Sequence, residues 1–165
     1  MRFKKQIALF AILLLAIAVA WATPGAGIIF RSIITRAQAP GALHSEALGN
    51  DINGNKWHLQ LKTEGAPSDF FVQETVWGPG GYTGWHSHPG PVLVTVKEGT
   101  ASWYDANCVR TDYTPGMAFI EDAGANHNLR NESASENVRI VTIYIIPTGV
   151  ATRNDEAQPP TCALP

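Results

Sequence analysis

Three histidines carry the chemistry that this chain is able to do. His86 and His88 flank Ser87, and His127 lies 39 residues after His88. Side chains alternate along a strand, so two histidines one residue apart point to the same face. A third from another strand then completes a half-shell of imidazoles. Neutral imidazole is the commonest metal ligand among side chains. Three of them with open positions fit either catalytic zinc with a bound water or non-haem iron and oxygen chemistry.

The residues around these histidines are punctuated by glycine. One stretch runs Gly80, five residues, His86-Ser87-His88, three residues, Val92, six residues, Gly99. The other runs Gly116, five residues, Asp122-Ala123-Gly124, two residues, His127, three residues, Asn131. Gly80, Gly99, Gly116 and Gly124 read as turn residues that need positive φ or close packing. None is catalytic, and Asn131 reads as structural.

The elements that must position this set are strands. Asn53-Gly54 is a strong turn signal. Lys56–Lys62, Phe70–Trp77, Val92–Lys97, Thr100–Tyr104 and Val138–Ile146 alternate or run β-branched and aromatic. Trp85–His88 reads as a short ligand strand bent by Pro89-Gly90-Pro91. Met117–Ile120 and a segment at His127 read as further strands. Gly78-Pro79-Gly80-Gly81 reads as a tight break. No amphipathic helix is apparent after Ala22. The fold class is therefore all-β, a sandwich or barrel.

Taken together, the two stretches resemble the paired motifs of the cupin superfamily. The resemblance sharpens the fold to a double-stranded β-helix, or jelly-roll barrel. It implies that His86, His88 and His127 bind one divalent metal, with iron the first choice and zinc, manganese, nickel or copper the alternatives. In that family the first motif carries a glutamate ligand where this chain has Val92, and the second a proline where it has Asp122. Valine binds no metal, so three imidazoles alone leave the ion at +2 and favour anionic substrates. Some cupin dioxygenases, notably thiol dioxygenases, similarly lack the glutamate. Glu74, on the strand before the first motif, is a candidate fourth ligand, the alternative being a surface glutamate. Glu121 and Asp122 are expected at a strand end. His44 and His58 lie outside both motifs and read as ordinary histidines. Trp77, Trp85, Trp103, Tyr82 and Tyr104 read as core or rim, with pocket lining as the alternative.

The N-terminus has a different character. Arg2, Lys4 and Lys5 precede an unbroken apolar run, Ile7 to Ala22. That is the pattern of a secretory signal, with an uncleaved membrane anchor as the alternative. Ala20-Trp21-Ala22 and Ala37-Gln38-Ala39 are the two candidate cleavage sites. Either way the globular part is expected outside the cytoplasm. The expected organisation is 1–39 signal or anchor plus linker, 40–147 barrel, and 148–165 a Pro-rich tail. Cys108 and Cys162 suggest a disulfide in an exported chain, two free thiols being the alternative.

From Pro40 onward the chain holds all 14 of its Asp and Glu residues but only part of its 12 Lys and Arg. An acidic domain without a basic stripe excludes nucleic acid as partner. The expected function is an exported metal-dependent enzyme of the oxygenase type acting on a small molecule. The alternatives are a non-catalytic binding or sensing module and, with no residue of its own in support, isomerase or lyase chemistry. A homodimer follows only from the family resemblance.

Overall fold

A computed structural model describes residues 22–160 and 162. The Arg2–Trp21 part of the leader expectation lies outside the described residues. Among them no helix is long and apolar enough to cross a membrane.

The described chain is all β. In order, its strands are β1 (Ala26–Ala39), β2 (His44–Asn50), β3 (Lys56–Lys62), β4 (Ser68–Tyr82), β5 (His86–Ser87) and β6 (Val92–Glu98). They continue as β7 (Ala101–Asp105), β8 (Arg110–Tyr113), β9 (Ala118–Glu121), β10 (His127–Arg130), β11 (Val138–Pro147) and β12 (Asn154–Asp155). Hydrogen bonding runs through β12-β5-β10-β4-β11-β6-β9, with β1 added to β4, β7 to β10 and β8 to β7. One half is thus β1-β4-β11-β6-β9 and the other β12-β5-β10-β7-β8. The Arg130↔Tyr82 pair joins them into a nearly closed barrel. β2 and β3 pair only with each other as a separate hairpin.

Alternation in sequence becomes inside and outside in the barrel. Along β6, Val92, Val94 and Val96 are buried while Leu93, Thr95 and Lys97 face out. The core gathers these valines with Trp77, Ala101, Leu129, Val138 and Ile140, drawn from both halves. Each valine, leucine or isoleucine side chain taken out of water contributes roughly 1.5–3 kcal/mol.

Register decides which residues share the interior. Across β4, β11, β6 and β9 the paired positions read Phe71, Tyr144, Val92, Glu121, and two residues further on Gln73, Thr142, Val94, Phe119. Directly paired residues point to one face, so both rows face inward. Arg31 of β1 pairs with Thr75 and enters through the same face.

The structure corrects several expectations. Residues 26–39, read as part of a leader and linker, form β1 along the whole of β4. The Ala37-Gln38-Ala39 candidate cleavage site is therefore paired strand, with Gln38 opposite Asp69 and its Nε2 donating to Thr148 Oγ1. Gly78–Gly81 does not end a strand, because β4 continues through it to Tyr82, with irregular register against β1. The C-terminal segment, read as a tail without periodicity, forms β12 against β5. It ends in a Cys108–Cys162 disulfide, with Cα atoms 5.2 Å apart.

Candidate metal centre

The site begins with how the backbone presents each imidazole. His86 lies on β5, His88 just beyond it at the Pro89-Gly90-Pro91 bend, and His127 opens β10 opposite His86. All three are buried, at 4, 3 and 0% exposure. Their ring centroids lie 4.8 Å (His86–His88), 4.3 Å (His86–His127) and 5.2 Å (His88–His127) apart. One ring nitrogen from each falls within 4.8 Å of the others. The three histidines singled out in sequence are thus brought together as one cluster.

The other ring nitrogen of each is committed to the backbone. His86 Nδ1 contacts Gly84 O at 2.8 Å, His88 Nδ1 contacts Thr152 O at 2.6 Å, and His127 Nδ1 contacts Ala125 O at 2.8 Å. A carbonyl only accepts, so each Nδ1 must donate. Each neutral ring then carries its lone pair on Nε2. Orienting contacts of this kind are what a metal-ligating histidine ordinarily has. His127 Nε2 is buried without a hydrogen-bond partner of good geometry, which suits an atom waiting for a cation. Burial, with the charges of His127, Arg153 and His88 adding to it, pushes His86 down to about 2 and keeps it neutral.

Of the two readings of Glu74 the surface one holds, and Glu121, at the end of β9 as expected, is the carboxylate nearest the histidines. Glu74 faces away from the site: its Oε1 accepts from Lys97 Nζ at 2.7 Å and lies 3.6 Å from Arg139. The interior neighbours on its strand are Gln73 and Thr75, so Glu74 has the outward parity. Glu121 stands among the histidines instead. It is 5% exposed, with Oε2 3.2 Å from His88 Nε2 and Oε1 3.2 Å from His127 Nε2. Burial works against its ionisation, and only positive charge at His127 and His88, a proton on Nε2 or a cation beside it, outweighs that and holds its carboxyl well below the usual range. The signal available in sequence was its odd-numbered place with Phe119 on β9. What placed it at the site was the β6–β9 register, which sequence did not supply.

Beside the cluster is a cavity of about 80 Å³. Gln73, Thr75, Thr142 and Tyr144 contribute polar groups to its lining, and Arg31 and Arg153 two guanidiniums. Arg153 is also paired to Asp155 through its Nε at 2.5 Å. Tyr144 packs edge-on to His88, and burial raises its phenol, keeping it protonated. Trp77 lines the same cavity, with an Nε1–H that has no partner. Trp103 stacks on His127 with centroids 5.9 Å apart and backs the ring. Trp85 packs with Cys162 and Tyr104 in a second cluster, away from the cavity.

The motif residues outside the chemistry behave as scaffold. Asn131 Nδ2 reaches the carbonyls of Trp77, Gly78 and Glu136, and its Oδ1 accepts from Ser133 N. Gly99 has φ of 70°, and a Cβ there would meet Asn137 O at 2.2 Å, so no other residue fits. His58 Nε2 lies 3.1 Å from Glu46 Oε1 on the exposed hairpin, outside the histidine cluster.

A family model described as the cupin domain matches residues 73–144, the span from mid-β4 to late β11 that holds all three histidines and Glu121. Over this span the chain matches the cupin domain in sequence. Solved structures resembling this chain include a cupin-like protein from Thermotoga maritima, at 19% identity and a TM-score of 0.48, covering 54% of this chain and 65% of that one. Another is the polyketide cyclase RemF from Streptomyces resistomycificus, at 18% identity and a TM-score of 0.46, covering 56% and 65%. A third is a conserved protein with a double-stranded β-helix domain from Klebsiella pneumoniae, at 19% identity and a TM-score of 0.46, covering 70% and 85%. The first two alignments thus span just under two thirds of the matched chains. At these identities the likeness is one of fold. Comparison with curated proteins returns no match.

Proposed function

We propose that this cupin is an exported, mononuclear metal-dependent enzyme of the oxygenase type that acts on a small anionic molecule. The observation that carries the reading is the convergence of three imidazoles beside a small cavity that two arginines also line. His86, His88 and His127 hold the ion, each fixed by a backbone carbonyl at Nδ1. When bound, a divalent ion supplies Lewis acidity and, if redox-active, oxygen chemistry at the positions the histidines leave open.

The remaining roles belong to the chain. Arg31 and Arg153 attract and orient an anionic group, a carboxylate being the smallest that suits two guanidiniums. The narrow, largely polar lining favours a small polar ligand. Tyr144, protonated and against His88, holds a proton at its hydroxyl for a reacting oxygen. Trp77, Leu129 and Ile140 exclude bulk water. Export is supported by the disulfide, which persists in oxidising compartments.

The test is the metal content of the purified protein beside a His86→Ala/His127→Ala variant. Near-stoichiometric metal that disappears in the variant is expected, with iron directing the next assay to oxygen uptake on small carboxylates. Failure of the wild type to retain any of iron, manganese, zinc, nickel or copper after reconstitution would overturn the reading. Ligand-induced stabilisation without turnover would make it a binding module.

A further inference from the structure

The geometry points to Glu121 as a fourth metal ligand, supplied from β9 in place of the carboxylate that the first motif lacks at Val92. The inference rests on the three-histidine reading and adds Glu121, which stands at one of the five unspecified positions between Gly116 and Asp122 of the second motif.

Val92 occupies the ligand position of the first motif, and its Cα partner across the β6–β9 ladder is Glu121. Paired residues on antiparallel strands project from the same face with their Cβ atoms close together. A carboxylate moved from one to the other therefore stays beside the same point in the barrel, approaching from one strand further along. Val92 is itself fully buried and leaves apolar wall where a glutamate would stand. The longer side chain at 121 reaches across to the imidazoles.

The contacts Glu121 makes are those of a ligand. Each oxygen lies 3.2 Å from the Nε2 of a different histidine. Atoms bound at about 2.1 Å to one ion stand ~3.0–3.4 Å apart, for right-angle and tetrahedral arrangements respectively. Among the described residues no lysine or arginine pairs with Glu121; its two ion-pair contacts are His88 and His127. A buried carboxylate facing neutral Nε2 lone pairs is electrostatically unfavourable, because both sides are acceptors. Two arrangements resolve it: a proton on an imidazole, or a cation between them. A proton serves one Nε2 at a time, whereas a cation serves the three clustered imidazoles together with the carboxylate that touches two of them. The occupied site then carries +1, where three histidines alone leave +2. Selection of anions falls to Arg31 and Arg153 instead of to surplus metal charge.

Three proteins test this by calorimetric titration with Zn²⁺ and by the visible spectrum of bound Co²⁺. They are the wild type, Glu121→Gln, and a Val92→Glu/Glu121→Val exchange that returns the carboxylate to the motif position. Circular dichroism establishes that each is folded. Glu121→Gln is expected to bind Zn²⁺ 10–100-fold more weakly and to alter the Co²⁺ bands. The exchange is expected to recover affinity to within a few-fold of wild type. Wild-type affinity and an unchanged Co²⁺ spectrum in Glu121→Gln would overturn the assignment while leaving the histidine site intact. Should Glu121→Gln not fold, Glu121→Val decides: a folded Glu121→Val variant with wild-type Zn²⁺ affinity overturns it. Absence of binding by the wild type itself would bring down the metal reading on which the assignment stands.

Discussion

His86 illustrates what burial does to a single residue here. Its ring is neutral in the folded chain down to about pH 2, because burial withholds water from the imidazolium and the charges of His127, Arg153 and His88 add to that. The unfolded chain takes up that proton near 6.5. Between those values the unfolded state binds more protons, so stability rises with pH and falls on acidification. In metal-free protein this residue therefore contributes a loss of up to ~1.4 kcal/mol per pH unit below about 6.5. Urea midpoints of chelator-treated protein at pH 7.5, 6.5 and 5.5 check this, with His86→Gln as comparison. A shallower pH slope in His86→Gln is expected. Equal slopes would mean that other groups carry the acid sensitivity. At the same scale, the three ligand histidines were legible in sequence because their spacing is local. Glu121 was not, since the β6–β9 register that brings it opposite Val92 is a long-range property. Glu74 was attractive only while strand parity across Gly78–Gly81 was unknown.

Elements with clean alternation were the readable ones. β3 and β6 follow the sequence pattern nearly residue for residue, as does β11, whose one buried-and-exposed series pairs with both β4 and β6. β1 was hidden because Ile28, Ile29, Ile33 and Ile34 follow an apolar run and blend into it. As an edge strand it leaves these side chains exposed, so no alternation marks it. β12 has two residues, too few for any period. The β2–β3 hairpin was half seen, through Asn53-Gly54 and the β3 alternation, yet that alternation does not report burial. Leu48 is 74% exposed and Trp57 52%. A two-stranded hairpin with little buried apolar surface is marginal by itself, and backbone bonds without packing open cheaply. Hydrogen exchange is therefore expected to be fast across residues 44–62 and slow across β11, whose amides sit between two strands. Protection of 44–62 equal to that of β11 would mean that the hairpin is covered in solution.

At the scale of the molecule, the C-terminal segment ties the site to the disulfide. Thr152 O receives the Nδ1–H of His88, Asn154 and Asp155 pair with Ser87 and His86, and Glu156 Oε1 accepts from Ser87 Oγ at 2.7 Å. This segment forms a wall of the ligand strand, although its sequence, rich in proline and polar residues, shows no strand pattern. It ends at Cys162, buried with Trp85 and Tyr104 and bonded to Cys108. Cys108 is itself held at φ 65° in a turn whose Asp105 Oδ1 accepts from Asn107 N and Val109 N. The bridge joins residues separated by 54 positions, and closing a loop of that size stabilises by ~4 kcal/mol in the chain-entropy model. Reduction, or a Cys108→Ser/Cys162→Ser variant, should then do two separable things. The urea-derived stability should drop by ~2–4 kcal/mol. Zn²⁺ affinity, measured where the variant is still folded, should weaken about tenfold, because His88 loses a firmly held orienting carbonyl. If stability falls while affinity stays at the oxidised value, the segment is held by β12 and Glu156 alone and the disulfide serves the fold only. If both fall together, the redox state of one distant cystine sets how well the barrel presents His88.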